Sequence, residues 1–162
     1  MRISVLSLAA AALVLAACGQ KPSQPEQAAQ PASAPAQATP DQVKALLATL
    51  PAPYNTGDIA NGKAKFTQCA ACHTTAEGGP NMTGPNLYGV FGRKAGTQPG
   101  FAYSDAVKQA AITWDPAHID TWITDPRAML PGTKMSFVGL KDPKDRTDLI
   151  AYLKVATSPL PK

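Results

Sequence analysis

Cys69-Ala70-Ala71-Cys72-His73 is the stretch on which the reading of this 162-residue chain turns. Two thiols three positions apart at the end of a helical segment face the same side, and a histidine follows at once. That spacing lets both sulfurs form thioethers with the two vinyl groups of one haem c while the adjacent imidazole meets the iron. The alternatives are a zinc half-site and a redox dithiol. A zinc site of the usual kind needs two more ligands, yet the only other cysteine is Cys18 and the only other histidine is His118. A thioredoxin-like dithiol sits in a βαβ context, and no convincing alternating strand is found in this chain.

Working outward, Asp58 to Ala71 reads as a helix that ends in the cysteine cluster. Ser104 to Ala111 reads as a short helix, and Asp115-Pro116 starts another that must break near Asp125-Pro126. Asp142-Pro143 starts the last, with Leu149, Ile150 and Leu153 on one face. Between them lie glycine- and proline-rich loops such as Thr83-Gly84-Pro85-Asn86 and Pro131-Gly132-Thr133-Lys134. The unit therefore reads as all-α with long loops, and loops of that length need something to hold them. A covalently bound porphyrin supplies the missing apolar filler, because a group bound only to the native state adds stability.

The N-terminal third has another character. All ten aromatic residues lie at Tyr54 or later, so the folded unit is expected to begin near there, with 57–162 as the haem domain. Residues 1–17 carry one early cation, Arg2, and then an uncharged run from Ile3 to Ala17, too short for a span and suited to an export signal. Leu15-Ala16-Ala17-Cys18 resembles a bacterial lipobox, with Cys18 lipidated as the first mature residue. From Gly19 to Pro40, five Pro, six Ala and five Gln leave too little apolar surface to offset the entropy of ordering, so residues 18–56 read as a tether plus one short helix. That helix starts at Thr39-Pro40-Asp41-Gln42 and presents Val43, Leu46, Leu47 and Leu50 on one face, which is expected to pack back onto the domain. The tether spans roughly 25 Å as a flexible coil and about 70 Å as polyproline II.

Net charge is +4, and 57–162 carries nine Lys and three Arg against eight Asp and one Glu, or +3. No basic run appears, which speaks against nucleic acid and for an acidic protein partner or a membrane surface. The sixth position on the iron separates a carrier from a catalyst, since a methionine thioether closes it and raises the potential while an open iron binds ligands or peroxide. Met1 leaves with the signal, Met82 is nine residues from His73, and Met129 ends a helical segment. Met135 lies in a turn-rich loop that can deliver its side chain inward, and His118 is the runner-up, read as a solvated residue near a helix start.

Six stretches carry a family likeness: Cys69-Ala70-Ala71-Cys72-His73, Thr83 to Gly89, Phe91-Gly92-Arg93-Lys94, Ile112-Thr113-Trp114, Pro131 to Met135, and Asp148 to Leu153. In order and spacing, Gly57 to about Ala156 resembles the class I cytochromes c of the mitochondrial and bacterial cytochrome c2 type. The resemblance implies Cys69 and Cys72 as covalent haem anchors, His73 as proximal ligand and Met135 as distal ligand. It implies Pro85 as the acceptor that orients His73, and Arg93, Tyr103 and Trp114 as partners of the buried propionates. Thr133 would bond a propionate from the distal loop, and Phe137 would cover the haem edge. Trp122 stands where relatives carry a tyrosine against the methionine sulfur, and Val107 replaces an asparagine near a buried water.

The implied function is that of a one-electron carrier rather than an enzyme, lipid-anchored on the periplasmic side of a bacterial membrane. It would shuttle between a quinol-cytochrome c oxidoreductase and a terminal oxidase or similar redox protein. Lys134, Lys141 and Arg127 would steer an acidic docking patch. A stable haem subunit of one enzyme, and a peroxidase or ligand sensor, are the competing classes. Mass spectrometry of the mature membrane-bound protein is expected to find a chain that starts at an acylated Cys18; an unmodified Cys18 or another start overturns the anchor.

Overall fold

The computed structural model describes residues 38–161; the signal segment, Cys18 and the tether as far as residue 37 lie outside the described residues. Every helix begins at a short polar side chain that accepts from amides with no partner in the helix. At α1, Pro40–Leu47, Thr39 accepts from the Gln42 amide while the Gln42 side chain accepts from the Thr39 amide at 2.9 Å, a reciprocal capping box followed by proline. Asp58 caps α2, Ile59–Ala70, and Ser104 caps α3, Asp105–Gln109. Asp115 caps α4, Pro116–Thr124, and Asp142 caps α6, Pro143–Thr157.

The expected break at Asp125-Pro126 is real but is followed by a restart. Asp125 ends α4 and, by accepting from the Ala128 amide at 3.1 Å, caps a four-residue helix, α5, Pro126–Met129. Pro126, having no N–H to give to α4, fits the first position of the new helix instead. Among the described residues there is no strand, only one bridge between Lys94 and Thr113.

The frame is the crossing of α2 over α6. It is close because Gly62 carries no side chain: a Cβ there would lie 2.0 Å from the Asp148 carbonyl oxygen and 2.7 Å from Tyr152 Cβ. One turn along, Phe66 meets the Tyr152 ring at 5.4 Å between centroids. Leu149, Ile150 and Leu153 then project into a core that includes Phe66, Val90, Ile119, Ile123 and Leu140. Leu50 and Tyr54 belong to the same cluster, and Leu46 on α1 is also buried. The boundary expected before residue 57 thus falls inside continuous packing: α1 and the short turn Tyr54–Thr56 both lie on α6, and Gln42 Nε2 reaches the Pro161 carbonyl at 2.9 Å.

Asp148, only 2% exposed, pins this crossing, a role that its place in the Asp148 to Leu153 stretch does not reveal. Its carboxylate accepts from the Asp58 amide at 2.9 Å, Asn61 Nδ2 at 2.7 Å and Lys144 Nζ at 2.6 Å. Burial pushes its pKa up, but the bonds from Lys144, Asn61 and the Asp58 amide together outweigh that and hold it below the usual carboxylate value. A depressed native pKa stabilises the fold above the unfolded-state value near 4, and this stabilisation is lost as pH falls through the lower native value. Asp148→Asn is accordingly expected to cost about 1–3 kcal/mol at pH 7 by chemical denaturation, with the gap to the parent protein narrowing below about pH 4.

Candidate functional site

The end of α2 delivers the attachment motif. Its last turn closes through the Cys72 and His73 amides, which both donate to the Cys69 carbonyl, at 2.9 and 3.0 Å. Cys69, Cys72 and His73 consequently line one cavity of about 310 Å³. Burial, with the neighbouring Cys72 adding to it, pushes the Cys69 thiol up to about 11. A redox dithiol is tuned in the opposite direction, toward an exposed thiolate. Among the described residues no three His, Cys, Asp or Glu side chains gather in a group that could hold a metal ion.

His73 is held as a neutral ring of one orientation. Its Nδ1 lies 2.7 Å from the Pro85 carbonyl, so Nδ1–H donates and Nε2 keeps its lone pair. Burial lowers the imidazole pKa against the opposing pull of that carbonyl. The loop can lie this close because of Gly84, where a Cβ would stand 2.4 Å from His73 Cε1. Asn86 locks the same loop: its buried amide donates to Thr74 Oγ1 at 2.6 Å and the Ala76 carbonyl at 3.0 Å, and accepts from the Tyr88 amide at 2.9 Å. Sequence reasoning saw Thr83-Gly84-Pro85-Asn86 as a turn, but the role of Asn86 depends on partners ten and twelve residues back.

All ten residues expected at the site line this cavity: Cys69, Cys72, His73, Pro85, Arg93, Tyr103, Trp114, Thr133, Met135 and Phe137. Arg93 is aimed by the carbonyls of Tyr88 at 3.1 Å and Asn86 at 3.0 Å and by the Gln98 side chain. No carboxylate pairs with it among the described residues. A half-buried guanidinium without a counter-ion, beside the phenol of Tyr103 and the indole of Trp114, is a donor set made for carboxylates. Thiols, imidazole, apolar walls and this donor set together fit a porphyrin that bears two propionates.

Of the other candidates for the sixth position, none lines the cavity. Met82 is 47% exposed and Met129 half-buried elsewhere, while His118 sits at the start of α4 with Nδ1 2.9 Å from Asp115. Met135 arrives on a turn fixed by the Thr133 amide to the Leu130 carbonyl at 3.1 Å and by the Met135 amide to Thr133 Oγ1 at 3.2 Å. Trp122 and Val107 line the same cavity, Trp122 tilted against Trp114 at 5.5 Å. Lys134 borders the opening, but Lys141 is drawn to the Thr124 carbonyl at 2.8 Å and Asp125, away from the cavity lining.

An all-α frame whose loops close around a thiol-bearing, imidazole-bearing cavity defines a c-type haem protein of electron transfer. The family model described as Cytochrome c matches residues 59–157, and the chain belongs to that family, with the class I cytochrome c fold. It is 52% identical over 103 residues to cytochrome c of Chlamydomonas reinhardtii, covering 63% of this chain and 92% of that protein. To cytochrome c2 of Rhodoplanes tepidamans it is 54% identical over 96 residues, 59% of this chain and 90% of that one. The solved structure of cytochrome cH from Methylobacterium extorquens superposes with a TM-score of 0.57 at 48% identity, over 60% of this chain and 98% of the other. The chain carries one haem c through Cys69 and Cys72 and is an electron carrier, not an enzyme.

Proposed function

We propose that this protein is a lipid-anchored periplasmic carrier in which His73 and Met135 would both ligate the haem iron. In this reading it passes electrons from a quinol-cytochrome c oxidoreductase to a terminal oxidase or a similar redox protein. The observation that carries the ligation is that Met135, alone among the described methionines, lines the cavity that His73 lines. Bound haem supplies a single electron by cycling between ferrous and ferric iron.

The chain's residues do the rest. The Pro85 carbonyl keeps the proton on Nδ1 and so keeps Nε2 available as a ligand. Thr133 fixes the Met135 backbone, which would hold a soft thioether as an iron ligand and keep exogenous ligands out. Arg93, Tyr103, Trp114 and Thr133 hold the propionates, and Phe137 covers the edge. Trp122, in place of a phenol, offers one N–H donor and no acceptor, which changes what can reach the sulfur.

Cys18 is the anchor in this reading and the Pro-, Ala- and Gln-rich segment that starts at Gly19 the tether; no helix among the described residues is long and apolar enough to cross a membrane. Lys134 at the cavity, Arg127 on α5 and the exposed Lys141 beside the Thr124 carbonyl are the cations that meet an acidic partner.

The oxidised protein is expected to show a methionine-to-iron charge-transfer band; Met135→Ala abolishes it, lowers the reduction potential and lets carbon monoxide bind the ferrous form. A band that survives Met135→Ala overturns the ligation. Oxidase turnover is expected to fall as salt rises from about 10 to 200 mM, because the Debye length shrinks from roughly 30 Å to under 10 Å over that range. Turnover independent of ionic strength overturns charged docking.

A further inference from the structure

Tyr54 lies ahead of the family match at 59–157, yet it is wired to the loop that carries Met135. Its hydroxyl donates to Asp120 Oδ2 on α4 at 3.2 Å, and the other oxygen of that carboxylate accepts from Arg146 Nε at 2.5 Å. Arg146, on the first turns of α6, turns its Nη1 to the Leu140 carbonyl at 3.1 Å and the Lys141 carbonyl at 2.8 Å. Those two carbonyls close the segment that runs from Pro131 through Met135 and Phe137. Besides the Thr133 turn and the Lys134 Nζ bond to the Ala102 carbonyl at 3.3 Å, the segment is fastened to the end of α4: the Leu140 amide to the Ile123 carbonyl at 2.8 Å, and Gly139, whose φ of +93° lets it sit where a Cβ would be 2.0 Å from the Thr124 oxygen.

We propose that Tyr54 and Arg146, joined through the Asp120 carboxylate, are positioning residues for the Met135 loop, so that a segment ahead of the family domain holds the distal ligand in place. The inference rests on the Met135 ligation proposed above. A guanidinium has a rigid fork of donors, and the carboxylate it pairs with decides where the fork points. With both oxygens of Asp120 engaged, one orientation serves. Without the Tyr54 hydroxyl, Oδ2 turns to water, the carboxylate gains freedom to rotate, and the donors aimed at the 140 and 141 carbonyls lose alignment. An added ligand binds only the fraction of molecules in which Met135 has withdrawn, so its apparent affinity reports that fraction.

The experiment titrates ferric holoprotein with imidazole and follows the methionine-to-iron band. Tyr54→Phe is expected to raise imidazole affinity by about two- to tenfold, the span of one net hydrogen bond. Arg146→Gln raises it at least as far, and the double variant no further than Arg146→Gln alone. Leu46→Ala, a buried α1 residue outside this chain of bonds, lowers global stability but leaves imidazole affinity within about twofold of the parent. Hydrogen exchange at the Leu140 amide, faster in Tyr54→Phe, gives a readout without imidazole. Unchanged affinity and exchange in Tyr54→Phe, an equal rise in Leu46→Ala, or additive effects in the double variant overturn the positioning role. A parent protein with no such band overturns the ligation reading itself, and the proposal with it.

Discussion

The closeness of two helices at a residue without a side chain governs where everything else sits. Gly62 lets α2 lie directly against the Asp148 carbonyl of α6, and the axis of α2 is thereby set. The attachment motif begins in the last turn of that helix, so the crossing fixes where Cys69, Cys72 and His73 stand relative to Leu149 and Leu153 across the cavity. A covalent cofactor tolerates little error of this kind, because both thioethers and the imidazole approach one rigid ring. Placing them on a helix that is clamped near its other end, by Asp148 to the Asp58 amide and Asn61, removes that error before the loops are considered.

The loops then close by specific polar contacts rather than by regular structure. Asn86 ties residues 74, 76 and 88 together, Pro85 takes the imidazole proton, and carbonyls 86 and 88 aim Arg93 into the cavity. These contacts satisfy buried groups that would otherwise be costly, and those of Pro85 and Arg93 also orient side chains that line the cavity. Stability and the site therefore draw on the same bonds. Arg93 is the clearest case: its backbone acceptors leave its charge without a carboxylate partner, a deficit that a propionate would remove.

The segment ahead of the family match is part of this fold. α1 and the turn at Tyr54 cover α6, place Leu50 and Tyr54 in the core, and link back to Pro161. Composition marks a tether only from Gly19 to Pro40, and the apolar face of Val43, Leu46, Leu47 and Leu50 implied a helix that packs back onto the domain, as α1 does, because amphipathic periodicity reports a surface that needs covering whereas average composition does not.

The cofactor and the helix starts were legible in the sequence because each rests on local chemistry, whereas Pro85, Arg93, Tyr103, Trp114, Thr133 and Phe137 were implied only by the resemblance to class I cytochromes c. Two thiols and an imidazole in five residues have one economical use, and Thr39, Asp58, Ser104, Asp115 and Asp142 announce helices through bonds to amides two or three residues on. Packing alone settled the relations between distant parts of the chain: Asp148 as the pin of the crossing, Lys141 drawn to the end of α4, and Tyr54 bonded through Asp120 to Arg146. Local pattern encodes what a residue can do within a turn or two of itself. Which long-range partner it finds depends on the packing of whole helices, and a single short stretch carries no record of that.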